Sequence, residues 1–428
     1  MTALDPALTR DILAAVADGF ADQTAFLEEL VRFPTLRGQE HTAQDFMHDA
    51  LAGRGYAMDR WTIDVDAIRH HPGFSPVTVD YSHALNVVGS HRPRETSGRS
   101  LILNGHMDVV PTGPTDLWAS PPFVPRRDGD WLYGRGAGDM KAGLSANVFA
   151  MDALRRLGYQ PAAPVYQQSV VEEECTGNGA LACLVRGYRA DAAIIPEPED
   201  DKLVRANVGV VWFQVTVRGK PAHVREAGQG ANAIEAAFRL IQALRDLEAD
   251  WNARKGDHRH FEHLDAPITF NPGKIAGGDW ASSVPAWCTF DGRFGLYPGV
   301  NPRDAAREIE DCLRRAAADD PFLANTPPEV TYNGFMAEGY VLEEGSAAEQ
   351  TLGRAHAAAY GQSLEAFTTT SYLDGRVFVL YQDTPCLVYG PRAEAIHGFD
   401  ERVSLASLRR ITGAIALFIA EWCGLERA

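Results

Sequence analysis

Apolar positions along the chain follow two kinds of pattern. From Asp22 to Arg32 and from Thr42 to Gly53 they recur every three or four positions, the spacing of a helix with one buried face. The N-terminal segment around Asp5-Pro6 also reads as the start of an amphipathic helix. Ser100–Asn104 is instead a short apolar run that stops at Gly105, which fits a strand buried on both faces. A buried helix is expected over Ala142–Arg156, a strand over Val165–Val171, a helix over Gly179–Gly187 and a strand over Ala192–Ile195. Strands alternating with helices predict an α/β fold, a mostly parallel sheet with helices on both faces.

The pattern changes near Val208. Val210–Arg218 is rich in β-branched and aromatic residues and predicts a strand, followed by a helix over Ala231–Leu247. Ile268–Ile275 and Trp287–Leu296 read as strands, Pro302–Ala318 as a helix and Glu329–Tyr332 as a last strand. That order, βαββαβ, is ferredoxin-like. From about Glu343 the α/β pattern resumes, with helices over Ser346–Tyr360 and Leu405–Trp422 and a strand over Pro385–Tyr389. One compact unit, residues 208–335, is therefore expected to be inserted into a discontinuous one, residues 1–207 and 336–428.

Composition narrows the function classes. At roughly 100–200 residues per domain, 428 residues allow two or three domains and a large core without disulfides. The formal net charge of −17 argues against nucleic acid and anionic membrane surfaces as partners. No uninterrupted apolar run of about 18 residues predicts a membrane span. The N-terminus lacks a basic stretch followed by an apolar one, and the six Cys form no CxxC pair, so free thiols and a cytoplasmic location are expected. Thirteen His among many carboxylates direct attention to divalent metals.

The chemistry-bearing residues cluster after the predicted strands. His106 and Asp108 follow the strand at Ser100–Asn104, and ligands collect at that edge of an open α/β sheet. Taken alone, the pair also suits a histidine buried for packing. Gly134–Gly143 carries four Gly around Asp139 and Lys141 before a helix; its spacing is not that of a phosphate loop, and the Gly residues would aim Asp139 into a site. Glu172-Glu173-Glu174 follow the strand at Val165–Val171, where three adjacent carboxylates make sense beside a cation, although a solvated turn gives the same string. Glu197 follows Ala192–Ile195, and His397 follows Pro385–Tyr389. His258, His260 and His263 lie in a polar stretch without matching carboxylates and read as a solvated loop.

With these motifs in their order along the chain, the sequence resembles the dinuclear zinc exopeptidases and deacylases. That group includes acetylornithine deacetylase, succinyl-diaminopimelate desuccinylase, aminoacylase and carboxypeptidase G. The matching stretches are Asn104–Pro111, Trp118–Phe123, Leu132–Gly143, Glu172–Glu174, Pro196–Pro198, Arg218–Val224 and His397. The resemblance implies a zinc-exopeptidase-like sheet with an inserted ferredoxin-like lid or dimerisation domain. It implies that His106 and Glu197 bind one metal, Glu174 and His397 a second, and that Asp139 bridges both, followed by a peptide that is often cis in relatives. Asp108 would orient His106, and Glu173 would be the general base. The family usually has Asp-Glu-Glu where this chain has three Glu. Aligning Glu172 with the Asp makes Glu173 the base, whereas a one-residue slip would make Glu172 the base and Glu173 a ligand.

The resemblance further implies two divalent ions, zinc first, with cobalt or manganese able to substitute. It implies a homodimer formed through the inserted domain, in which His223 reaches the active site of the other copy. Arg293, Asp374 and Arg376 match segments near the substrate in relatives, and structural ion pairs are an equal alternative for the two Arg. The expected activity is hydrolysis of a linear amide: removal of an acetyl, formyl or succinyl group from an N-acyl amino acid or related amine by a hydroxide shared between two metals. A dipeptidase or carboxypeptidase of the same family is the alternative.

Overall fold

The computed structural model describes residues 4–428. Its centre is a six-stranded sheet in the order Ala57–Thr62, Leu85–His91, Val165–Val170, Leu101–His106, Ala193–Ile195 and Cys386–Val388. The last four run parallel, and Leu85–His91 is antiparallel to both its neighbours. The mostly parallel α/β architecture is thus present. The two antiparallel strands at one edge have no clear apolar signature. Ala57–Thr62 is largely exposed, and Leu85–His91 buries Asn86, whose amide donates to the Gly179 carbonyl at 2.8 Å and accepts from Val171 N. A polar residue placed to stitch loops reads as a break when only apolar spacing is followed.

Helices cover both faces. Pro6–Arg32, His41–Ala52, Ala142–Arg156 and Leu405–Trp422 pack on one, joined through Phe26, Phe46 and Phe149. Asn178–Val185 and Gly375–Gln382 lie on the other, where Val88, Val170 and Cys183 form a small cluster. Asp5 caps the first helix by accepting from Ala7 N at 2.7 Å, and Pro6 occupies its first turn. This helix is continuous through Gly19, where the spacing had shown only separate helical segments. Glycine costs about 1 kcal/mol in a helix, but a side chain here would crowd Arg156, whose Nε lies 3.1 Å from the Cβ position.

Residues 209–331 build a second, antiparallel sheet in the order Phe270–Gly277, Trp287–Leu296, Gly209–Arg218 and Glu329–Thr331. Helices Ala233–Asn252 and Pro302–Ala318 complete the βαββαβ order. Leu240, Leu244, Phe213, Phe290, Phe294 and Ile309 fill a core separate from that around the central sheet. The strand period of two turns Phe213 and Val215 inward and leaves Trp212 on the opposite face. Trp212 pairs in register with Arg293, and Arg293 with Asn271, so one row of side chains crosses three strands.

Gly143 sits in the first turn of Ala142–Arg156, where the helix crosses the loop after Ala193–Ile195. A Cβ there would lie 2.2 Å from the Pro196 carbonyl oxygen. Gly→Ala within a helix ordinarily gains up to about 1 kcal/mol. Here Gly143→Ala is expected to lose about 1–3 kcal/mol through overpacking, read as a lower urea midpoint. An unchanged or higher midpoint would contradict this packing.

A candidate metal centre at the sheet edge

Because four central strands are parallel, their C-terminal ends share one edge, and the loops after them converge. The strand expected over Ser100–Asn104 extends to His106, which is its last residue. Glu173 and Glu174 follow Val170, Glu197 follows Ile195, and His397 follows Val388. Asp139 enters from the turn before helix Ala142–Arg156, where Gly136 has φ 78° and the Asp139–Met140 peptide is cis.

The side chains meet closely. His106 Nε2 lies 3.1 Å from Asp139 Oδ1, 3.6 Å from Glu197 Oε1 and 3.9 Å from Glu173 Oε2. His397 Nε2 lies 3.2 Å from Glu174 Oε2 and 3.4 Å from the other oxygen of Asp139. Asp139 thus stands between two imidazoles. Two donor sets are compact enough to hold an ion: His106 with Glu173 and Glu197, and His106 with Asp139 and Glu174. His397 is half-exposed and closes the open side.

Asp108 faces His106 with both its carboxylate, whose Oδ1 lies 3.6 Å from His106 Nδ1, and its backbone. His106 Nδ1–H donates to the main-chain carbonyl of Asp108 at 2.9 Å. The Asp108 carboxylate accepts from Glu174 N at 3.1 Å and from Glu173 N at 3.4 Å. Asp108 therefore sets the His106 tautomer with its backbone and fixes the acidic turn with its side chain. Glu172 faces away. Its carboxylate takes a forked pair from Arg37 at 2.6 and 2.7 Å, and accepts from Tyr81 OH at 2.6 Å and Thr176 Oγ1 at 2.9 Å.

The donor set suits divalent ions. Burial pushes Glu173 and Glu197 well above the usual carboxylate range, and pushes Asp108 up to about 7. Burial would raise Asp139 too, but hydrogen bonds from His106 and His397 hold it below its ordinary value. The Glu174 charge is the main reason that His397 is raised to about 11. Glu197 Oε1 is buried without a hydrogen-bond partner. With Nδ1–H committed to a carbonyl, His106 turns its other nitrogen toward carboxylates, the arrangement of a ligand facing a shared cation.

A cavity of about 670 Å³ opens over this cluster, between it and the second sheet. Asp139, Glu173, Glu174, Glu197 and His397 line one side, and the row Asn271, Arg293 and Trp212 lines the other. Burial lowers Arg293 to about 10, and its Nη2 donates to the Thr370 carbonyl at 3.2 Å. Asp374 is buried behind the lining, accepting from Tyr372 OH at 2.8 Å. Arg376 is fully buried and gives its donors to Tyr372, Glu338 and Gly73, so its guanidinium is not presented to the cavity. His223 sits on an exposed loop, where its Nδ1 accepts from Arg225 N. Asn271 and Trp212 were not singled out beforehand, although strand alternation from Arg293 places them on its face.

Residues 102–421 match peptidase family M20/M25/M40. The chain belongs to this family. It is 29% identical to N-formyl-4-amino-5-aminomethyl-2-methylpyrimidine deformylase of Halalkalibacterium halodurans, over 98% of each chain. It is 27% identical to succinyl-diaminopimelate desuccinylase of Leptothrix cholodnii, over 90% of this chain and 94% of that one. The fold matches that of the dipeptidase Dug1p of Saccharomyces cerevisiae with a TM-score of 0.76 at 15% identity, covering 97% of this chain and 98% of that one. Among the described residues, no helix is long and apolar enough to cross a membrane.

Two measurements check this geometry. Glu172→Gln leaves Arg37 without its anionic partner and is expected to cost about 3 kcal/mol in urea unfolding; a loss under about 1 kcal/mol would contradict the pairing. For protein kept in chelator, the raised acid Asp108 and the raised His397 act in the same direction. A group whose folded pKa is raised contributes stability at low pH and loses it as pH rises, so the melting temperature should fall from about pH 5 to about pH 8. Saturating zinc should flatten that slope, and a slope of opposite sign in chelator would refute the reading.

Proposed function

We infer that the chain is a metal-dependent amidohydrolase that removes a small acyl group from an amine. The carrying observation is the clustering of two imidazoles with the four carboxylates of Asp139, Glu173, Glu174 and Glu197, beneath a cavity walled by Arg293, Asn271 and Trp212. In this reading His106 and Glu197 would hold one divalent ion, Glu174 and His397 would hold the other, and Asp139 would serve both. Zinc suits the mixed N/O donor set, and cobalt or manganese can replace it. When bound, the two ions supply charge to polarise an amide carbonyl and lower the pKa of a water toward about 7.

Glu173 is assigned as general base. It takes the proton of the attacking water and passes it to the leaving amine, a role worth roughly 10²–10⁴-fold. The engagement of Glu172 with Arg37, Tyr81 and Thr176 supports this register over the one-residue slip. Arg293 donates to the carbonyl or a carboxylate of the substrate from the opposite wall. His223 acts in a homodimer, joined through residues 208–335 as a lid, by donating to the oxyanion in the other copy's site. The free cysteines suit a reducing cytoplasm as the place of this enzyme.

The acyl group is small and the amine varies more. Formylated amines on a flat ring are the first class to test. The similar protein that carries a deformylase name aligns over 98% of the chain, and Trp212, Phe335 and Tyr372 give the cavity an aromatic wall with ring centroids 5.1 and 4.2 Å apart. A panel of N-formyl amines, N-acetyl and N-succinyl amino acids and dipeptides, with and without chelator, tests the activity. Chelator-sensitive release of a small acid is expected, and no hydrolysis of any amide by metal-loaded protein would refute it. Glu173→Gln should retain both metals while turnover falls at least about 10²-fold. Near-normal turnover at full metal occupancy would remove Glu173 from its role.

A further inference from the structure

The turn that carries Asp139 has no regular ladder to hold it, yet four of its groups converge on one carboxylate. Glu401 Oε1 accepts from Gly138 N at 2.9 Å and from Asp139 N at 3.1 Å. Its Oε2 accepts from Gly136 N at 3.1 Å and from Arg135 Nη1 at 2.6 Å. The main-chain oxygen of Glu401 also accepts from Gly134 N at 2.9 Å. Arg135 and Glu401 are each only 1% exposed. Arg135 Nη2 then reaches two further loops, donating to the carbonyls of Gly398 at 3.1 Å and Pro111 at 3.3 Å. Gly398 adjoins His397, and Pro111 closes the segment that begins at His106.

We propose that Glu401, clasped by Arg135, is a positioning residue of the metal centre that fixes the Asp139 turn against the loops carrying His397 and His106. The proposal rests on the reading of Asp139 and His397 as ligands. Three arguments carry it. Glu401 lies four residues beyond His397, and the strand Arg402–Ser404 after it pairs with Trp131–Tyr133 immediately before the Asp139 turn, so the two segments are joined on both sides. Its acceptors meet the N–H of Asp139 itself, so moving Glu401 rotates the peptide from which the bridging carboxylate projects. The space is also matched: a Cβ on Gly138 would lie 2.6 Å from Ala393 Cβ and 3.5 Å from Glu401 Oε1, leaving room only for a backbone. Arg135 balances the charge of Glu401, so the clasp orients the centre without adding to its negative charge.

An apolar pair could fill this volume, whereas only an anion with two free oxygens can accept from three backbone N–H groups and a guanidinium together. Glu401→Gln keeps the shape but turns an amide donor toward N–H groups. Glu401→Asp keeps the charge but shortens the reach. The test uses the full chain as wild type and both variants. It measures zinc affinity by chelator competition, the visible absorption of the cobalt-loaded protein, and the melting temperature of the metal-free form.

Glu401→Gln is expected to bind zinc about 10–100-fold more weakly and to shift the cobalt bands, with Glu401→Asp intermediate. At saturating metal, kcat should fall while KM changes little. A folded Glu401→Gln with zinc affinity within about twofold of wild type and unchanged cobalt bands overturns the proposal, even if it melts earlier. Should that variant fail to fold, Glu401→Asp is judged by the same two readouts. A wild type that takes up no divalent metal overturns instead the ligand assignment beneath the proposal, and the proposal falls with it.

Discussion

Several carboxylates brought out of water at one place repel one another, and the chain must supply a reason for holding them there. Asp139, Glu173, Glu174 and Glu197 converge at the edge of the central sheet with two imidazoles as the facing cationic groups. Burial alone already pushes Glu173 and Glu197 toward their neutral forms. Two divalent ions would reverse that cost and turn mutual repulsion into ligation. The parallel strands deliver His106, the acidic turn, Glu197 and His397 to one edge.

The same constraint explains the polar structure around the site. The acidic turn and the Asp139 turn are each held by groups that are not themselves part of the cluster. Asp108 fixes the backbone of Glu173 and Glu174, Arg37 and Tyr81 retain Glu172, and Arg135 with Glu401 retains the Asp139 turn. These supports come from segments far apart in the chain, so the centre and the tertiary fold depend on each other. The second sheet adds a wall rather than a ligand. Its row of Trp212, Arg293 and Asn271 faces the cluster across the cavity.

Much of this was legible in the sequence, and the reasons differ by element. Long helices such as Pro302–Ala318 and Leu405–Trp422, and the strand Trp287–Leu296, begin and end where their apolar spacing and caps indicate. The residues meeting at the sheet edge were visible because His106, Glu173, Glu174, Glu197 and His397 each come at or after the end of a strand, and Asp139 because it sits in a glycine-rich turn. What escaped was mostly polar and long-range. Leu85–His91 hides behind its buried Asn86, and helix Gly375–Gln382 is too short to show a period. Glu401 carries no local signal, because its importance lies in hydrogen bonds to residues more than 260 positions away. Arg376 matched a substrate-side segment, but its guanidinium is absorbed by Tyr372, Glu338 and Gly73. A motif fixes residue types along the chain, and only packing decides which way an arginine turns.

The central claim is that this carboxylate cluster exists to hold a pair of divalent ions around Asp139. Anomalous diffraction from crystals of zinc-loaded protein, recorded above and below the zinc edge, tests it most directly. The account predicts two peaks about 3.5–4 Å apart, one on each side of the Asp139 carboxylate, with His106 and Glu197 beside one and Glu174 and His397 beside the other. No peak at the cluster, or zinc bound only elsewhere on the molecule, would contradict it.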